Sequence, residues 1–154
     1  MTIELKELYT IAGIAEALLL PLTTAPAEVW VDKLKPTEAD YAAVFRGDAA
    51  NQARQGYASL WSSPPKTLGN PNQTRIKAFA TEADAFLTDN EFSREFPGGY
   101  RGIATHLQPD KIWIVWRLYE AGGQHGMTYD GLVWMQGRFA WFPKPWRMLD
   151  ATTN

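Results

Sequence analysis

The chain has 154 residues, 45% hydrophobic and 21% charged, with 15 basic and 17 acidic side chains for a formal net charge of −2. A chain of this length can bury roughly two thirds of its unfolded surface, so it needs no disulfide or metal to hold a core. The absence of cysteine excludes disulfides, thiolate nucleophiles and Cys-ligated zinc or iron–sulfur centres, and the small net charge gives no ground for a nucleic-acid partner.

The reading is one α+β domain over residues 1–154, with a helical part over about 1–61 and a sheet part over about 74–147. Charge is uneven: residues 1–99 carry 9 basic and 13 acidic groups, and residues 100–154 carry 6 and 4. Seven Trp, six Tyr and seven Phe require a ring-heavy core or a ring-heavy binding face.

Residues 3–20 read as an amphipathic helix. Leu5, Leu8, Ala12, Ala15 and Leu19 recur at helical spacing, and Ile11, Ile14 and Leu18 widen the stripe. Pro21 is expected to end it. The apolar run Ile11 to Leu22, followed by Ala25-Pro26-Ala27, has the outline of a secretory leader. Glu4, Glu7 and Glu16 surround or interrupt that run, however, and only Lys6 is basic, the reverse of a leader's positive start. No run approaches the ~20 apolar residues of a membrane span. The expectation is a cytoplasmic location, with secretion as the alternative, and no membrane partner.

Val29-Trp30-Val31 reads as a short edge strand. Thr37-Glu38-Ala39-Asp40 has the capping-box arrangement and opens a helix to about Arg46. Gly47 interrupts, and Asp48 is expected to cap a second helix in which Ala50, Ala53, Tyr57, Leu60 and Trp61 recur at helical spacing. Residues 62–73 read as loop. Thr74 to Ala80 alternates as a strand, and Thr81-Glu82-Ala83-Asp84 opens a short helix to about Thr88. After a loop, Gly98-Gly99 marks a tight turn or a close backbone approach. Tyr100 to His106 reads as a strand, and residues 111–119 as the strongest strand in the chain. A Gly-rich connection over 120–126 leads to a strand over 127–135, a Gln136-Gly137 turn and a strand over 138–142, which Pro143 and Pro145 stop.

A two-residue turn at Gln136-Gly137 pairs Met135 with Arg138, Trp134 with Phe139 and Leu132 with Trp141. Strict alternation then puts Asp130, Leu132, Trp134, Phe139 and Trp141 on one face, and Tyr129, Val133, Met135, Arg138, Ala140 and Phe142 on the other. Residues 111–119 are apolar on both sides as well. A sheet apolar on two faces needs two covers. Early helices supply one. The second falls to a small apolar or aromatic ligand in a cavity, a homodimer interface, or the N-terminal helix.

Asp130 is the leading catalytic candidate, since a carboxylate among Trp and Leu has its pKa raised and can act as a general base. Tyr129, His106 and Arg117 are its candidate helpers. The competing reading has Asp130 bonding backbone amides at a turn. His106 and His125 have no metal-ligand spacing, so no metal is expected. Nucleophile-elbow, dinucleotide and phosphate-loop motifs are absent, so no cofactor is expected. Arg101, Trp116, Arg117, Trp134, Trp141 and Trp146 form the candidate ligand-binding set, a platform of rings and cations for an anion, a sugar or a single strand. The tail Phe142-Pro143-Lys144-Pro145-Trp146-Arg147 is read first as a strap over the sheet.

Over residues 37–142 the element order resembles the ketosteroid-isomerase-like, or cystatin-like, cone folds. The fold reading is N-terminal helices packed on a curved antiparallel sheet of four to six strands; the resemblance implies that the helical layer covers a curled sheet and leaves an apolar pocket. It implies no activity. The preferred expectation is a non-enzymatic ligand- or protein-binding domain; the alternatives are a cone-fold isomerase or hydro-lyase using Asp130, and a nucleic-acid or glycan binder.

Overall fold

The computed structural model describes residues 3–124 and 126–149. Five helices come first: α1 (Leu5–Leu22), α2 (Ala27–Leu34), α3 (Glu38–Val44), α4 (Asp48–Gly56) and α5 (Ala58–Ser62). Then follow β1 (Gln73–Glu82), the one-turn helix α6 (Gly99–Gly102), β2 (Ile112–Glu120), β3 (Met127–Trp134) and β4 (Phe139–Trp141). The four strands make one antiparallel sheet in the order β1-β2-β3-β4, an α+β fold. Among the described residues no helix is long and apolar enough to cross a membrane.

The hairpin follows from its turn. Gln136 and Gly137 have φ of 53° and 105°, the two positive values a type I′ turn requires. Met135 N–H donates to the Arg138 carbonyl at 2.7 Å, and Leu132↔Trp141, Val133↔Ala140 and Trp134↔Phe139 pair as the turn dictates.

Both sheet faces are covered by the chain's own helices. Leu8, Ile11, Ala15 and Leu19 of α1, with Trp30 and Leu34 of α2, pack on Ala78, Ile114, Trp116, Leu132 and Trp141. The opposite face, with Trp113, Val115, Val133, Ala140 and Phe142, packs on Tyr41 and Phe45 around α3, Ala53 of α4, and Tyr100 of α6. The N-terminal helices therefore take the second face, where a cavity or a dimer was the other expected cover.

Several local expectations are corrected. Val29-Trp30-Val31 is helical, because Trp30 and Leu34, one turn apart, are both buried; that tertiary gain outweighs the strand preference of two valines. Tyr100–His106 is helical too, as α6 and a 3-10 turn over Ala104–His106. Tyr100, Ile103, Ala104 and Leu107 are all buried, an i, i+3, i+4, i+7 pattern. Pro21 lies inside the last turn of α1. Gly47, at φ 53°, is the N-cap of α4 in place of Asp48. The expected helix through Trp61 breaks at Tyr57, whose buried hydroxyl donates to the Pro143 carbonyl at 2.8 Å.

The correction with most consequence is a β-bulge. The β2–β3 ladder runs Ile114↔Leu132 and then Trp116↔Tyr129, so Asp130 and Gly131 together oppose Val115. Gly131 has φ 94°, and a Cβ there would run into the Phe142 carbonyl, whose own N–H donates to the Gly131 carbonyl at 2.7 Å. One extra residue exchanges the faces of everything before it. Tyr129 therefore joins the α1 face, where it stacks on Trp116 at 5.8 Å. Asp130 turns to the Tyr100 face.

Candidate functional site

Asp130 is 5% exposed. Its Oδ1 accepts from the Tyr100 hydroxyl at 2.7 Å and from the Lys144 N–H at 2.9 Å. The Trp141 indole N–H donates to the Asp130 carbonyl at 2.9 Å. Burial raises the carboxyl above its ordinary range, against the Tyr100 and Lys144 hydrogen bonds and the nearby charges of Lys144 and Arg147. Burial and the Asp130 charge together push the Tyr100 hydroxyl well above its usual value. The geometry is that of an internal staple, joining α6, the bulge and the C-terminal segment. Both donors to its carboxylate belong to the chain.

The remaining candidates do not converge. His106 is exposed at the end of its 3-10 turn, and its carbonyl accepts from the Arg46 N–H at 2.8 Å. His125 lies outside the described residues. Among those residues no group of three or more His, Cys, Asp or Glu could hold a metal. Trp116 and Trp141 are buried on the α1 face, with Trp134 packed at its margin. Trp146 lies on the opposite side, against Tyr100 at 5.4 Å, and fills the space a Gly99 side chain would occupy. That close approach explains one of the paired glycines and makes the tail a strap. Arg101 pairs with Asp89 at 2.8 Å. Arg117 lies over the Phe79 ring at 5.5 Å and 3.7 Å from Glu95.

A different place is concave. A groove of about 560 Å³ lies between α1 and β1. Its floor is Lys77, Ala78, Phe79 and Ala80. Consecutive strand residues point to opposite faces, so four in a row lining one groove means that it meets β1 edge-on, at the open side of the sheet. One wall is a flank of α1, with Leu5, Tyr9, Ala12, Gly13 and Glu16. The other is the segment with Glu91, Phe92, Glu95 and Phe96. Tyr9 is 69% exposed, Leu5 48% and Phe92 36%, apolar surface left in water by residues that line a cleft. A smaller cavity of about 190 Å³ adjoins it at Ile3, Thr81 and Ala85. Asp130 lines neither.

Glu16 ties the groove together. Its Oε2 accepts from the Ala78 N–H at 2.8 Å, and Ala78 and Ala80 are small enough to admit the helix above them. None of these groove residues is a sequence-level candidate. Their signal is the breadth of apolar surface on α1, where Leu5, expected in the buried stripe, and Tyr9 are both exposed. Comparison with protein-family models, curated proteins and solved structures found no match.

Proposed function

We propose that this protein is a non-enzymatic binding domain whose ligand lies in the groove between α1 and the outer edge of β1. The observation that carries the reading is the groove itself: about 560 Å³, lined mainly by apolar side chains, with Tyr9 and Phe92 exposed along it. Concave apolar surface with few polar groups is the general form of a ligand site. Against the enzymatic alternative stands the placement of Asp130, enclosed and bonded to its own chain. Against a glycan or single-strand platform stand Trp116 and Trp141, whose ring faces are in the core.

The test uses Gly13, which faces the groove with open space at its Cβ position. Nile red, a neutral apolar dye, is expected to brighten on the wild-type chain, and Gly13→Phe is expected to abolish that signal while leaving the circular dichroism spectrum unchanged. Equal dye binding by both proteins would place the apolar site elsewhere.

A further inference from the structure

We propose that the occupant of this groove is an extended peptide segment, apolar and basic, that adds to β1 as a fifth strand; this rests on the groove reading above.

The first argument is the backbone. β1 is the outermost strand, and the Ala78 N–H points outward, since it donates to Glu16. Backbone direction alternates along a strand, so Ile76 and Ala80 face the same way. No hydrogen bond to the N–H or carbonyl of either on that side is present among the described residues. Ala80 lies on the groove floor and Ile76 just beyond its end, on either side of the Ala78 N–H that Glu16 holds; edge donors and acceptors left open in this way are a template for strand addition.

The dimensions agree. Four floor residues span roughly 13 Å at about 3.3 Å each. The α1 wall from Leu5 to Glu16 spans about 16 Å at about 1.5 Å per residue. The groove thus takes a segment of about four or five extended residues. Side chains of such a segment alternate between the walls, meeting Tyr9 and Ala12 on one side and Phe92 and Phe96 on the other. Each wall sets glutamate among apolar side chains, Glu16 on the first and Glu91 and Glu95 on the second.

The charge fixes the class of peptide. Glu16, Glu91 and Glu95 line the groove against one cation, Lys77. Glu91 has no ion-pair partner among the described residues, and the cation nearest Glu95, Arg117, is 3.7 Å away. Strand addition also moves the Ala78 N–H from Glu16 to a peptide carbonyl. That exchange frees a carboxylate directly beside the incoming chain, where a Lys or Arg side chain compensates it.

Three blocked hexapeptides distinguish the possibilities: alternating Val and Lys, alternating Val and Glu, and the Val–Lys peptide N-methylated along its hydrogen-bonding edge. Each is titrated into the full 15N-labelled chain and followed by amide shifts and hydrogen exchange. The Val–Lys peptide is expected to shift residues 9–16 and 77–80 and to slow exchange at Ile76 and Ala80. The Val–Glu and N-methylated peptides are each expected to bind about tenfold or more weakly, the loss that a few unmade polar contacts bring. Equal binding by the N-methylated peptide overturns strand addition, and equal binding by Val–Glu overturns the basic partner. Dye binding that Gly13→Phe removes, with no response to any peptide, overturns this proposal and leaves the groove reading standing. Loss of both removes both.

Discussion

The Glu16 carboxylate accepts a 2.8 Å hydrogen bond from the Ala78 N–H, so α1 places a negative charge in the middle of the sheet's open edge. Charged side chains on an edge are a common guard against pairing with other chains. Glu16→Ala is expected to cost about 1 kcal/mol of stability, the usual worth of one such bond, and to promote self-association through β1. Urea denaturation reads the first effect and sedimentation the second. Sedimentation unchanged from wild type at every concentration would show that the edge is protected by other means.

Gly13 is exposed in the interior of α1, and a Cβ there meets nothing within 4 Å. Gly13→Ala removes backbone freedom from the unfolded chain with no steric cost. It is expected to stabilise the protein by about 0.5–1 kcal/mol, read as a rise in thermal midpoint. A fall would mean that the groove wall is tighter than its open geometry indicates.

Asp130 separates charge from hydrogen bonding. Its folded pKa is raised, chiefly by burial, so the folded chain holds this proton to a higher pH than the unfolded chain does. Stability from this site is therefore full below the unfolded carboxylate value and is lost as pH rises through the folded one. Asp130→Asn keeps an accepting oxygen for Tyr100 and Lys144 but has no charge to desolvate. Relative to wild type it should gain stability at neutral pH, and the gain should vanish on acidification below the unfolded value. Asp130→Ala leaves the Tyr100 hydroxyl and the Lys144 N–H without a partner, at about 1–3 kcal/mol each. Urea titrations at several pH values check both. Equal loss in the two variants would mean that the charge itself holds the staple.

Asp40 behaves with the opposite sign. It is 3% exposed, and it accepts from Arg138 Nη2 at 2.6 Å, Arg138 Nη1 at 2.9 Å and Thr37 N–H at 2.8 Å. Burial alone would raise its pKa, but the Arg138 and Thr37 donors outweigh it and hold the carboxyl low. Its contribution is present above the unfolded carboxylate value and is lost as pH falls through the folded one. Arg138→Ala is expected to cost about 1–3 kcal/mol at neutral pH, with the gap to wild type closing in acid. A gap that persists below the folded value would assign the loss to packing.

The same pair shows what was readable from sequence. The Thr37–Asp40 capping box and the Gln136-Gly137 turn are local chemistry, and both stand as read. Their junction through Arg138 is long-range and has no local signature. The bulge is hard to read locally because Tyr129-Asp130-Gly131-Leu132 also fits alternation; the ladder register and the positive φ of Gly131 show the extra residue. That one residue takes Asp130 off the face to which strict alternation assigns it. In α2 and in residues 100–107 burial at helical spacing overrode strand-forming residue types. The groove was hidden for another reason: it is assembled from α1, β1 and residues 91–96, three segments with no pattern in common.

Two glycines of the hairpin test the bulge directly. Gly131 and Gly137 have φ of 94° and 105°, so alanine is strained at either by about 1–2 kcal/mol. At Gly137 the new methyl group enters open space, and only that conformational cost is expected. At Gly131 it would meet the Phe142 carbonyl, which is backbone held by its own hydrogen bond and by the strap beyond. Gly131→Ala is therefore expected to cost roughly 1–3 kcal/mol more than Gly137→Ala, the usual range for forced overpacking, and to alter the near-ultraviolet circular dichroism of the Trp141 environment. Denaturation midpoints of the two variants, measured side by side, isolate the packing contribution. Equal losses would mean that β3 absorbs the methyl by giving up the bulge, which would return Asp130 to the α1 face and break its bond to Tyr100.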